Sequence, residues 1–102
     1  MSPKLKALSP TEAAVHLTDL PGWTIVDGML TKRYETNGWP FTMLVVGAIA
    51  FLAESADHHP DLIVTWPSVT VKLSTHDAGG LTNRDFDLAR KIDETVRTRL
   101  IK

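Results

Sequence analysis

The chain has 102 residues, 43 % of them apolar and 23 % charged, and its 11 Lys and Arg against 12 Asp and Glu leave a formal charge of −1. That balance excludes a disordered, collagenous or coiled-coil chain and predicts one domain over residues 1–102, with about 65 % of the extended chain's surface buried on folding. It also lacks the excess of positive charge that grips phosphate backbones, so no nucleic acid partner is expected; the absence of cysteine excludes a disulfide framework, a thiolate metal site and a thiol nucleophile.

The first ten residues contain Lys4 and Lys6 but no continuous apolar stretch, so no secretory signal is expected and the chain reads as cytoplasmic. Ser9-Pro10-Thr11-Glu12 is a capping box with proline at the first helical position. It predicts a helix to about Asp19, with Ala13, Leu17 and Leu20 on one side and Pro21-Gly22 as its stop. Trp23 to Val26 and Met29 to Tyr34 then flank Asp27-Gly28, a dipeptide that tolerates the positive φ angles of a two-residue hairpin turn.

Asn37-Gly38 ends the second strand, and a long apolar run predicts a second helix from about Pro40 to Ala56. Its most apolar part, Trp39 to Ala53, is about 15 residues, short of the roughly 18 to 20 that span a bilayer, so no membrane is expected. This helix is apolar on more of its circumference than a small sheet can cover, which predicts self-association. After Pro60, Asp61 to Trp66 reads as a strand and Pro67-Ser68 as a turn. Val69, Val71, Leu73 and Thr75 alternate with polar residues as the next strand, and His76 to Gly80 form a loop. Thr82-Asn-Arg-Asp85 is a second capping box, with Leu81 and Phe86 placed as its hydrophobic staple. The last helix buries Phe86, Ala89, Ile92, Val96 and Leu100. The order αββαββα predicts an α+β fold, a four-stranded antiparallel sheet with helices packed on one face.

Chemistry points to the histidines. His58 and His59 fall where the second helix gives way to a strand, and His76 where the last strand ends. Imidazole, with an unperturbed pKa of about 6.5, both donates and accepts protons near neutrality, so two across a cleft make an acid and a base. Glu54 stands four residues before His58 and is expected to share its helix face, orienting and charging the ring. Plainer roles compete. Histidines at a helix C-terminus interact well with its dipole, and Asp85 and Thr82 are already accounted for by their capping box. A metal site is less favoured without an H-E-x-x-H pair. Trp66 reads as core or hairpin packing, Lys72 as a solvated strand residue, Gly79-Gly80 as turn chemistry, and His16 as surface.

The combined spacing is more specific. Glu54, three residues, His58-His59-Pro60, five residues, Trp66, nine residues, His76, eight residues and Asp85 together resemble the signature of the pterin-4a-carbinolamine dehydratases. Ser74-Thr-His-Asp-Ala-Gly-Gly-Leu-Thr-Asn-Arg-Asp85 is similar to that family's Ser-Thr-His loop and following helix start, and Gly22-Trp23 before the first strand is a further shared mark. The resemblance implies dehydration of 4a-hydroxytetrahydropterins, the products of aromatic amino acid hydroxylases, to quinonoid dihydropterins, with no metal and no redox cofactor. It implies His58, His59 and His76 as catalytic residues, and a pterin site lined by Asp57, His58, His59, Ser74, Thr75, His76 and Asp77. Glu54 and Asp85 would hold the imidazoles in place. Homodimers or homotetramers, and a functional link to an aromatic amino acid hydroxylase, are also implied. The competing reading on the same fold is a non-catalytic interaction or assembly protein, as the mammalian family member also serves as a dimerisation cofactor for a homeodomain transcription factor.

Overall fold

A computed structural model describes residues 6–97. The order is α1 (Pro10–Leu17), β1 (Thr24–Val26), β2 (Met29–Glu35), α2 (Trp39–Ala56), β3 (Asp61–Thr65), β4 (Ser68–Leu73), a 3₁₀ turn (His76–Ala78) and α3 (Asn83–Thr95). The four strands form one antiparallel sheet in the order β1-β2-β4-β3, the expected α+β arrangement.

Each hairpin follows from its turn residues. Asp27 and Gly28 both take positive φ, 51° and 76°, as a turn matching the twist of its flanking strands requires. In the second hairpin Thr65 pairs with Ser68, so the turn residues are Trp66 and Pro67, one position earlier than the sequence predicts. The Trp66 side chain is 63 % exposed rather than packed in the core or hairpin. Its carbonyl does the structural work, lying 2.6 Å from Thr42 Oγ1 near the start of α2.

Period-two alternation separates the two faces of the sheet. Leu30, Tyr34, Val69, Val71 and Leu73 are buried on one face, and the register sets Leu30 beside Leu73 and Tyr34 beside Val69. The helices cover this face, α2 contributing Val45, Ile49 and Ala53, and α3 Phe86, Leu88, Ala89 and Ile92, with Val96 buried at its C-cap. Leu100, expected to extend the α3 stripe, lies outside the described residues. Both capping boxes form as read, at Ser9 with Glu12 and at Thr82 with Asp85.

Two elements depart from expectation. α2 runs for 18 residues, long and apolar enough to cross a membrane by length and composition alone, yet one stripe of it is committed to the core. Its opposite side leaves Trp39, Met43, Leu44 and Phe51 exposed. α1 ends at Leu17, and His16 is half-buried rather than on the surface. Three residues beyond the buried Ala13, His16 lies on the same side of the helix, stacks on Phe86 at 4.8 Å between ring centroids, and places Nδ1 3.0 Å from Arg90 Nη2.

Candidate active site

The site begins where α2 stops. Asp57 adopts the left-handed conformation, with φ 50° and ψ 45°, and the chain closes a Schellman turn: Asp57 N–H donates to Glu54 O and His58 N–H to Ala53 O, each at 3.1 Å. Glycine usually occupies such a position, because a Cβ there is crowded by the backbone. The turn redirects the chain so that two adjacent histidines face different environments. His58 is 8 % exposed and points toward α3, whereas His59 is exposed.

This turn overturns the expected pairing of Glu54 with His58. Glu54 Oε1 lies 2.8 Å from His59 Nε2, and His58 Nε2 lies 2.5 Å from Asp85 Oδ1. The four-residue spacing puts two side chains on one face only while the helix continues, and Asp57 ends it one residue before His58.

Asp85 is fully buried, and its capping box explains how it gets there. One oxygen, Oδ2, accepts from the Thr82 backbone N–H at 2.9 Å and from Thr75 Oγ1 at 2.8 Å, while Oδ1 faces the imidazole. The capping role and the histidine-holding role are thus divided between two oxygens of one carboxylate. Thr75 follows β4, is buried, and pairs across the loop with Gly80, which seats the 3₁₀ turn bearing His76. An ionised carboxylate only accepts, so it pairs with the His58 ring in the form that carries a proton on Nε2.

Asp57, His58, His59, Ser74, Thr75, His76 and Asp77, together with Arg84, line one open cleft of about 230 Å³. Every residue expected in the pterin site therefore sits on one surface, drawn from the end of α2 and from the loop after β4. Asp85 lies behind His58, and Glu54 flanks His59 on the exposed side. Arg84 was not singled out by sequence; the only signal was its place beside Asp85 in the capping box. A larger groove of about 420 Å³ between α2 and α3, lined by Ala48, Phe51, Leu52, Lys91, Glu94 and Thr95, holds no histidine. Among the described residues, no three His, Asp or Glu side chains converge as a metal site.

A small antiparallel α+β fold with three imidazoles on one cleft, one of them backed by a buried carboxylate, offers groups of the kind that can donate and accept a proton. Comparisons with known proteins narrow this class. Residues 6–95 match the family model for pterin 4 alpha carbinolamine dehydratase. Two proteins provisionally named pterin-4-alpha-carbinolamine dehydratase are similar along most of their length. The one from Roseiflexus castenholzii is 47 % identical, over 87 % of this chain and 96 % of its own. The one from Aquifex aeolicus is 46 % identical, over 91 % of this chain and 94 % of its own. A crystal structure from Brucella melitensis, described as a transcriptional coactivator/pterin dehydratase, superposes with a TM-score of 0.82 at 30 % identity, covering 86 % of this chain and 96 % of that one. The chain belongs to the pterin-4-alpha-carbinolamine dehydratase family.

Proposed function

We propose that this chain, a hydro-lyase by family, dehydrates a 4a-hydroxytetrahydropterin to the quinonoid dihydropterin by histidine general acid and base catalysis. The C4a hydroxyl takes a proton and departs as water, the N5 proton is removed, and the N5 electron pair forms the C4a=N5 double bond. One acid and one base satisfy that balance, and positioned groups of this kind contribute about 10² to 10⁴ in rate. His58 and His76 are the acid and base pair, and His59 orients the substrate. Asp57, Ser74, Thr75 and Asp77 supply the polar wall against which the ring's donors and acceptors are matched, while Asp85 and Glu54 position His58 and His59.

The observation that carries this reading is the lining of a single cleft by all three histidines, with His58 held against a fully buried carboxylate. In the cell the reaction would follow an aromatic amino acid hydroxylase and return its pterin to the recycling route, in the cytoplasm, with residues 1–102 acting as one domain. Decay of the ultraviolet absorbance of a chemically prepared 4a-hydroxytetrahydropterin tests it directly. Purified protein is expected to accelerate the decay and His76→Ala to remove most of the gain; decay no faster than in buffer would sink the reading.

A second reading rests on α2, whose outer side exposes Trp39, Met43, Leu44 and Phe51. Large contiguous apolar patches mark interfaces, and this one fits self-association into a homodimer or homotetramer. The same face would serve an assembly or coactivator role of the kind named for the Brucella protein. Light scattering at micromolar concentration is expected to show an oligomer, and Phe51→Glu to shift it toward monomer. A wild-type monomer would remove the self-association reading.

A further inference from the structure

From the placement of Arg84 we infer that it is a positioning residue for His58, one that holds the backbone before the ring while its neighbour Asp85 holds the ring itself. Arg84 Nη2 donates to Asp57 O at 2.6 Å and lies 3.5 Å from Ala56 O, two carbonyls at the end of α2. A cation on those carbonyls is favourable, since they carry the negative end of the helix dipole. It also braces Asp57, a residue with a Cβ held at φ 50°, in the conformation that turns His58 inward. Among the described residues, Arg84 is paired with no carboxylate, so backbone carbonyls are the acceptors that fix it.

Arg84 also acts as a wall. On its far side lies a second pocket of about 220 Å³, lined by Ala56, His58, Arg84, Asp87, Leu88 and Lys91. His58 and Arg84 line both this pocket and the histidine cleft, so these two side chains form the partition between them. Loss of the guanidinium would free the Asp57 turn and join the two spaces, admitting water to the pair made by His58 with Asp85. A low-dielectric, water-poor setting strengthens such a pair, and its loss would loosen the ring that the dehydration step needs fixed.

The functional half of this inference rests on the dehydratase reading, so the test has one arm that does not. In Arg84→Met, which keeps an apolar stem and removes every donor, the His58 Nε2–H proton is followed by NMR in the ligand-free protein. Its exchange with water is expected to quicken by about ten-fold or more, with kcat reduced about ten-fold and KM within about two-fold. Wild-type exchange and wild-type kcat in the folded variant would overturn the inference. A raised KM with unchanged kcat and exchange would overturn it too, because Arg84 would then be a substrate contact. If the wild-type protein shows no dehydratase activity, the proposed function fails and the exchange rate alone decides for or against Arg84. Where Arg84→Met does not fold, Arg84→Lys is too short to bridge both carbonyls or fill the partition. It is expected to show the same changes at about a third of the size, and wild-type values there would overturn the inference.

Discussion

Asp85 and Asp93 lie two turns apart on α3, both buried, and their partners set them to different tasks. Asp93 accepts from Lys32 Nζ at 2.6 Å and Tyr34 Oη at 2.9 Å through one oxygen, and from Arg97 Nη1 at 3.1 Å through the other. Lys32 also donates to Pro21 O and stands 4.8 Å over the Tyr34 ring, so this carboxylate gathers β2, the loop before β1, and α3 into one knot. Burial pushes the Asp93 carboxyl up, but hydrogen bonds from Lys32, Arg97 and Tyr34 outweigh it and hold the group below the usual carboxylate range. The Tyr34 hydroxyl is pushed well above its ordinary range, first by burial and then by the Asp93 charge. Among the described residues, Asp85 has no Lys or Arg bonded to it. It meets a backbone amide, a hydroxyl and an imidazole. A carboxylate bound to fixed cations ties elements of the fold together, whereas one bound to an imidazole holds that ring in place.

Substitution separates the two roles. Asp93→Ala, which leaves Lys32 facing an empty buried site, is expected to cost roughly 3 kcal/mol in urea unfolding while the folded protein keeps its kcat. An equal loss of turnover in the folded fraction would join the two regions into one. Asp85→Asn is expected to lower kcat by about 10²-fold, about 2.7 kcal/mol of barrier, because an amide can donate to the ring as well as accept and no longer selects its tautomer. Steady-state kinetics on the dehydration assay would read this, and a loss smaller than about three-fold would deny Asp85 its positioning role.

Acidity gives a gentler way to test the contrast. Because the folded Asp93 pKa lies below its unfolded value, the stabilisation is complete above the ordinary range near pH 4 and drains away as pH falls through the folded value. Tyr34 works in the opposite sense: its raised pKa gives a contribution present below about pH 10 and lost as pH climbs toward the folded value. Thermal melts are therefore expected to weaken at both extremes, and Asp93→Asn to flatten the acid limb. An unchanged acid limb in that variant would place the acid sensitivity elsewhere. Smallest of all is Glu54→Gln. The Glu54 pair with His59 is exposed, so at most about 1 kcal/mol of stability is at stake, and turnover is expected to stay within about two-fold.

Much of this molecule follows from short-range chemistry. Asp27-Gly28 can supply the two positive φ angles of a tight hairpin, and the apolar spacing of Phe86, Ala89, Ile92 and Val96 reports a helix with one buried side. Both capping boxes are local too, since their hydroxyl, carboxylate and amide partners lie within four consecutive residues. The histidine spacing was equally legible, and the elements it falls on bring His58, His59 and His76 to one cleft.

What the sequence by itself determined, then, was the order of elements, their capping boxes, the first hairpin turn, the buried stripes, and the three histidines that meet at the cleft. Tertiary structure alone decided their partners. Asp57 in the left-handed conformation turns His58 away from Glu54 and toward Asp85, a reversal that no helical spacing encodes. Asp93 reads as one more charge on an amphipathic helix until the sheet brings Lys32 and Tyr34 to it from 61 and 59 residues away. His16 and Arg84 likewise acquire roles only when α1 and the end of α2 dock on α3. Periodicity records the geometry of a single element. Which side chains meet between elements depends on turn dihedrals and docking, set by the packing of the whole core.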